Sequence, residues 1–320
     1  MIDVIIPTYK AHETIKKTLY SISCQRNSKN LKVYIVNDDK NDNYDEEIDF
    51  FKKFIKIKEL KYEKNMGPGY ARQYGIDHSS GDYIVFIDSD DIFSNPLSLV
   101  KMYSKIKKDN SDVLCSNFFE QREDNSFKGY FNDWVALHGK MYNRQFLLKN
   151  KIRFPNLYAE EDNSFNQLVL LYNPKISYLN DSTYVWLFNE KSLVRNDKYY
   201  ANIDFKYLSA MHYAITNFNL NKYNSYELSK LSYKTLIVLY YYNYNIGSCT
   251  EFDYKLKEIY NIYLNGKKLS DEDQFLIQNS IASVMTNVGN YKNVLHPSKL
   301  FDQFLNEVGD INDWYYYSCF

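Results

Sequence analysis

The sequence predicts an α/β protein whose first half builds a mostly parallel sheet flanked by helices, followed by an all-helical C-terminal region. Three observations predict it. Short β-branched or aromatic runs alternate with stretches of helical period as far as Asn117, the pattern of βαβ units. The turn signals Asn65-Met66-Gly67-Pro68-Gly69 and Ser79-Ser80-Gly81-Asp82 punctuate those units. After Asn196 the strand pattern stops, and apolar residues recur only at helical spacing.

The strands expected in order are Ile2–Ile6, Lys32–Asn37, Ile57–Tyr62, Tyr83–Asp88 and Val113–Asn117. Between them, Glu13–Gln25 places Ile15, Leu19 and Ile22 on one helical face, and Tyr44–Phe54 and Leu97–Lys107 read the same way. Phe118–Asp133 is polar and contains a glycine, which predicts irregular or hairpin structure. A short helix follows at Arg144–Lys149, then one opened by Glu160-Glu161-Asp162, whose charges suit a helix N-terminus. Beyond it, Leu228, Leu231, Thr235, Val238 and Tyr242 form a stripe, as do Leu256, Ile259, Tyr260, Tyr263 and Leu264. Ser270 with Asp273 resembles a capping box, Gly289 is a stop, and Pro297-Ser298 opens a last helix. The expected division is residues 1–195 and 196–320.

At 320 residues, with 45% hydrophobic and 25% charged, the chain can bury a sizeable core and is not of disordered or collagenous composition. A net charge of -1 argues against a nucleic-acid partner. Four scattered cysteines without a C-x-x-C pair suggest neither a zinc site nor a disulfide framework. No positive region precedes an apolar stretch at the N-terminus, and the longest apolar run, Leu236 to Tyr242, falls short of the ~20 residues that span a bilayer. A cytoplasmic protein is expected. The 33 tyrosines accompany abundant Asn, Lys and Ile, which points to genome composition rather than to binding platforms at Tyr240–Tyr242 or Tyr315–Tyr317.

The most informative string is Val85-Phe86-Ile87-Asp88-Ser89-Asp90-Asp91, an apolar strand ending in three carboxylates. Parallel sheets present ligands at the carboxyl ends of their strands, and residues two apart share a side. Asp88 and Asp90 are thus candidate ligands for a hard divalent cation bridged to a diphosphate. The competing reading is a strand terminus whose Asp91 or Ser94 caps the next helix.

Pro7-Thr8-Tyr9 ends the first strand and Asn37-Asp38-Asp39 the second, both at the edge where Asp88 lies, and Gly67-Pro68-Gly69-Tyr70-Ala71-Arg72-Gln73 enters a helix between them and the acidic strand. With these motifs in this order, residues 1–195 resemble the nucleotide-diphospho-sugar glycosyltransferases of the GT-A fold, in particular the inverting family two. The resemblance implies a mixed, mainly parallel sheet, and it places Pro7, Thr8 and Tyr9 against the nucleoside. It also implies that Asp39 accepts from a uracil-like N–H, that Arg72 lies near the nucleotide, that Asp88 and Ser89 lie at the donor, and that Asp90 ligates the metal. The competing readings are an edge aromatic for Tyr9, a turn former for Asp39 and an exposed, acid-paired helix residue for Arg72. Lys40-Asn41 stands where the family has Gly-Ser, and Gln73 where it has Asn, so a nucleotide other than UDP stays open.

Ile152-Arg153-Phe154-Pro155 ahead of Glu160-Glu161-Asp162 is similar to the family element whose Asp is the catalytic base. An acceptor hydroxyl must lose its proton as it attacks the anomeric carbon opposite the departing diphosphate, and a carboxylate can take it. The resemblance assigns that role to Asp162, with Glu161 in support; the competing reading is a helix N-terminus stabilised by its dipole. A third stretch, Tyr184 to Arg195, offers Lys191, Ser192 and Arg195 as a phosphate-clamping lid, with Trp186 in the core. His138, beside Gly139 and Lys140, is read as a hydrogen-bonded structural residue, the alternative being one that approaches the donor or acceptor.

The sequence therefore predicts an inverting transferase that moves a hexose or N-acetylhexosamine from a UDP-sugar to a hydroxyl of a carbohydrate or other acceptor. Mn²⁺ or Mg²⁺ is its expected cofactor, and the C-terminal helices are its candidate surface for acceptor choice or homo-oligomerisation. The alternatives are a sugar-nucleotide nucleotidyltransferase, for which Pro7–His12 lacks the Gly-rich phosphate loop, and a catalytically silent carbohydrate-binding or scaffold protein.

Overall fold

The computed structural model describes residues 1–157, 160–190, 192, 203–218, 230–232, 235, 258, 270–273, 275–277 and 279. The chain divides into two compact units, Met1–Lys206 and Tyr207–Phe320.

The first unit is built on one nine-stranded sheet. Its strands are β1 (Ile2–Thr8), β2 (Leu31–Asn37), β3 (Lys56–Lys61), β4 (Tyr83–Phe86), β5 (Ile92–Phe93), β6 (Val113–Gln121), β7 (Phe127–Tyr130), β8 (Lys140–Asn143) and β9 (Ile176–Trp186). The order is β3-β2-β1-β4-β8-β6-β9-β5, with β7 paired to β6. The β3-β2-β1-β4 half is parallel, so the C-terminal ends of these strands open at one edge. β8 runs antiparallel to both β4 and β6, which makes the sheet mixed. β1 and β4 are buried almost throughout, as strands covered on both faces must be.

The five strands legible in the sequence are present, with shifted ends. β6 continues to Gln121 because it turns into a hairpin with β7, which occupies the stretch expected to be irregular or hairpin. The expected helix over Tyr44–Phe54 is broken into α2 (Asp45–Ile48) and a 3₁₀ turn at Phe51–Lys53. Burial still follows the helical stripe, with Tyr44, Ile48, Phe51 and Ile55 inside, so the apolar period survives while the backbone tightens at the helix end.

The other helices of this unit are α1 (Ile15–Ser23), α3 (Pro68–His78), α4 (Ser98–Asp109), α5 (Arg144–Lys149) and α6 (Glu161–Leu171). α3 starts with Pro68 at its first position behind Gly67, whose φ of 84° suits glycine. It packs on β1 so closely that a Cβ at Gly75 would lie 2.5 Å from Cγ2 of Ile5. α5 is capped by Asn143, whose Oδ1 accepts from Gln145 N at 2.9 Å.

α7 spans Ile203–Asn217. In the second unit, Ser270 and Asp273 form the expected reciprocal cap: Asp273 Oδ2 accepts from Ser270 N at 2.9 Å, and Ser270 Oγ accepts from Asp273 N at 3.2 Å. Thr235 is helical. The stripe over Leu256–Leu264, the stop at Gly289, the helix after Pro297, the apolar run Leu236–Tyr242 and both tyrosine clusters lie outside the described residues. Among the described residues, no helix is long and apolar enough to cross a membrane.

Candidate active site

The site forms where β1, β2 and β4 end. Thr8 is 2% exposed and its hydroxyl donates to the Val36 carbonyl at 3.2 Å, so this side chain is engaged with the sheet. Pro7 is half-buried beside it. Tyr9 stands at 49% exposure with the Lys10 ammonium 5.1 Å from its ring centre. The two acids after β2 divide their work. Asp38 is buried and accepts from Met66 N and Gly67 N, each at 2.7 Å, which ties the loop before α3 to the sheet edge. Asp39 remains half-buried at that edge and accepts from Asn41 N at 3.1 Å, an Asx turn.

Arg72 is the hub. It lies on α3 at 4% exposure, not on the exposed face that its competing reading supposed. Nη2 donates to Asp88 Oδ1 and Nη1 to Glu161 Oε1, both at 2.7 Å, and Nη1 is 3.7 Å from Asp162 Oδ1. A planar fork can hold two carboxylates at fixed angles, which a lysine cannot. Through it the strand end carrying Asp88 is braced against the first turn of α6. Burial works against its charge, but Asp88, Asp162 and Glu161 together push the guanidinium further above its usual range. Asp88 responds inversely: burial favours its neutral form, yet Arg72 and then His138 hold it well below the carboxylate range. Glu161 is pushed up, first by burial and then by Asp162, against the pull of Arg72.

α6 is set by its own start. Glu160 takes a left-handed φ of 64° and accepts from Ser164 N, placing Glu161 inside and leaving Asp162 about a quarter exposed. One turn on, Asn166 donates to the Val135 and Ala136 carbonyls at 3.2 and 2.9 Å and accepts from the Tyr142 hydroxyl. The loop before β8 is thereby pinned to the helix that bears Asp162. From below, the fully buried Lys140 ammonium donates to the Ala136 carbonyl at 2.5 Å.

The acidic strand end carries Asp88, Ser89 and Asp90 half-buried and Asp91 at 1% exposure. Asp91 does not cap the next helix. Its carboxylate accepts from the Tyr184 hydroxyl at 2.5 Å and from Leu187 N at 2.8 Å, bonds to β9 and the residue after it that lock the acidic turn. Nor does Ser94 cap it in the expected way, since its hydroxyl donates to the Ser182 carbonyl. Asp90 accepts from Asn189 Nδ2 at 2.7 Å. Burial raises the Asp90 carboxyl, and the neighbouring Asp88 raises it again; Asp91 is raised by burial, Asp90 and Asp88.

His138 is held differently from the expectation. It stacks on Tyr184 with ring centres 4.4 Å apart, its buried Nδ1 has no hydrogen-bond partner, and Nε2 lies 3.7 Å from Asp88 and 3.9 Å from Asp91, beyond hydrogen-bond length. Ligand atoms of Asp88, Asp91 and His138 come within 4.8 Å of one another. Asp88 raises the proton affinity of Asp90 and Asp91, and two carboxylates with an imidazole nitrogen are a donor set of the kind that holds a divalent cation. Ser192 is half-buried, with its N–H donating to the Asn189 carbonyl; Lys191 and Arg195 lie outside the described residues. Trp186 is partly buried and packs against the core. The roles of Asp91, Tyr184, Asn189 and Lys140 escaped the sequence reading. A lysine between Leu137 and the apolar Met141-Tyr142 was the available signal for the last.

A mixed sheet whose parallel half ends in an Asp-x-Asp, faced by an acidic helix start, defines the GT-A class of nucleotide-sugar folds. The sequence profile of "Glycosyl transferase family 2" matches residues 3–159. Residues 3–159 thus form a glycosyltransferase family 2 domain, of a family of sugar-transferring enzymes. Glycosyltransferase GlyA of Streptococcus pneumoniae is 27% identical over 220 residues, which is 61% of this chain and 31% of GlyA. The poly(ribitol-phosphate) beta-N-acetylglucosaminyltransferase TarS of Staphylococcus aureus is 26% identical over 218 residues, 63% of this chain and 38% of TarS. The chain thus spans about a third of each relative's length. The crystal structure of TarS 1-349 in complex with UDP-GlcNAc shares the fold, with a TM-score of 0.62 at 20% identity over 90% of this chain and 81% of that one.

Proposed function

We propose that this protein transfers a hexose or N-acetylhexosamine from a UDP-sugar to an acceptor hydroxyl with inversion, and that Asp162 is the general base. The observation that carries the reading is the Arg72 fork, which holds the donor-side Asp88 and the α6 turn of Glu161 and Asp162 on one guanidinium. Support for a UDP-sugar comes from the TarS relatives, one of which is a β-N-acetylglucosaminyltransferase and one of whose structures holds UDP-GlcNAc.

In this reading Tyr9 offers its exposed ring to the base, Asp39 accepts from the base N–H, and Ser192 contributes at the diphosphate. Asp88 and Asp90, with Asp91 and His138 behind them, are the residues that would hold Mn²⁺ or Mg²⁺. Such an ion neutralises charge on a leaving diphosphate. Glu161, inside and tied to Arg72, orients the turn, while the more open Asp162 takes the acceptor proton. The test is calorimetric titration of UDP with Asp162→Asn and the parent, coupled to a donor-hydrolysis or transfer assay. Asp162→Asn should bind UDP as the parent does and turn over ~10²-fold or more slower. Parental turnover with parental binding would move the base elsewhere, with Glu161 the first candidate.

A further inference from the structure

We infer that His12, as an imidazolium, is a positioning residue that fastens the two loops at the nucleoside end of the donor pocket to each other. The inference rests on the donor reading above for its function, though not for its geometry. Tyr9 lies in the loop after β1, three residues before His12, and Asp39 lies in the loop after β2, three residues before Asp42. His12 joins the two loops. Its Nε2 lies 2.8 and 3.0 Å from the two Asp42 oxygens, and its Nδ1 lies 3.0 Å from Glu47 Oε1 on α2.

Ionised carboxylates only accept hydrogen bonds, and a neutral imidazole has a single N–H to donate. Two ring nitrogens each facing a carboxylate therefore require both N–H groups, and so the cation. The ring also stacks on Tyr44 with centres 4.7 Å apart and planes 25° apart, and the Tyr44 hydroxyl, fully buried, accepts from Ala11 N at 2.9 Å. From Asp42 the bonding continues to the base loop. The Asp42 carbonyl accepts from Asn37 Nδ2 at 3.0 Å, and Asn37 Oδ1 accepts from Asp39 N at 3.1 Å. On the β3 side, Lys61 donates to the same carbonyl at 2.7 Å and pairs with Glu59 at 3.3 Å, so the charges facing this cluster are Asp42, Glu47, Lys61 and Glu59. The hydrogen bonds to Asp42 and then Glu47 raise the His12 proton affinity above its ordinary value, burial opposing them weakly.

As pH rises through the His12 transition, one carboxylate loses its donor and the two loops part. Binding a nucleoside must then order them. Affinity for a UDP-sugar should fall by roughly five- to tenfold, the low end of coupling between linked sites. His12→Arg keeps a permanent two-pronged cation and should hold the high affinity at every pH. His12→Gln should show the low affinity at every pH.

The experiment is calorimetric titration of the full chain with UDP-GlcNAc in Mg²⁺ from about pH 6 to about pH 8.5, around the ordinary histidine range. Melting curves confirm that each variant is folded. In parallel, amide hydrogen exchange of residues 38–44 reads the clamp without ligand. Parent exchange should follow His12→Arg at low pH and His12→Gln at high pH. Identical exchange in the three proteins, or a parent affinity profile shared by His12→Gln, overturns the proposal. Clamp-dependent exchange together with no UDP-GlcNAc binding by any protein would instead overturn the donor reading.

Discussion

Replacing Arg72 by Met removes one cation and leaves three carboxyl groups, Asp88, Glu161 and Asp162, without their counter-charge. Arg72 is 4% exposed, Glu161 8% and Asp88 32%, so water reaches Asp88 in part and Glu161 hardly at all. Breaking a buried pair by deleting one partner costs about 3–5 kcal/mol, because the survivor stays desolvated and unpaired. For a domain of this size each kcal/mol moves the melting temperature by about 2–4 °C, so Arg72→Met should melt roughly 6–20 °C below the parent. The double variant Arg72→Met/Glu161→Met should recover much of that loss, since removing both members of the buried pair leaves only the part-solvated Asp88 and Asp162 without their counter-charge. Calorimetric melts of the parent, the single and the double variant decide it. A single variant melting within about 2 °C of the parent, at most about one kcal/mol on that scale, would refute the bracing role assigned to this fork.

Asp90→Asn, which keeps the shape but makes a poorer ligand for a hard cation, should weaken Mg²⁺-supported UDP binding. Titration with and without chelator measures it, and a variant as metal-dependent as the parent would exclude Asp90 as a ligand. Lys140 is fully buried, and burial lowers its ammonium pKa from the ordinary 10.5 against smaller pulls from Cys115, Asp133 and Asp162. The folded protein thus binds this proton less tightly than the unfolded chain, and the penalty of holding the charge inside is relieved as pH rises toward 10.5. Denaturation of Lys140→Met against the parent should show the parent gaining relative stability across that window; parallel curves would contradict it. Gly75→Ala puts a methyl 2.5 Å from Ile5 Cγ2, inside β1, and overpacking of this kind costs typically about 1–3 kcal/mol. Urea unfolding of the variant should show it.

Local chemistry was legible in the sequence. β1, β2 and β4 announce themselves as short runs that are apolar apart from Asp3 and Lys32, as strands buried on both faces are, and the acidic or polar residues at and just after their ends mark the edge where ligands gather. The starts of α3, α5 and α6 were legible too, because a first turn suits a proline that has no N–H to leave unpaired, an asparagine that accepts from its free N–H groups, and acidic residues that meet its dipole. β8 was not. Its four residues, Lys140–Asn143, include a lysine that reads as surface until the fold buries it between β4 and β6. β5 is two residues long and exists only because β9 pairs with it. Likewise the break in Tyr44–Phe54 leaves the apolar stripe intact, so periodicity could not foresee it.

By itself the sequence determined where the strands of the parallel half lie, which carboxylates end them and in what order the motifs follow. The tertiary structure alone decided which charges meet. Arg72 finds Asp88 sixteen residues on and Glu161 eighty-nine residues on, Tyr184 reaches back ninety-three residues to Asp91, and His12 takes Asp42 and Glu47. Apolar burial acts through period, which neighbouring residues carry along the chain. A buried charge acts on whatever the folded interior brings within a few ångströms, and it must be paired there or neutralised. Its partner is therefore set by the packing of distant elements, and local sequence holds no record of it.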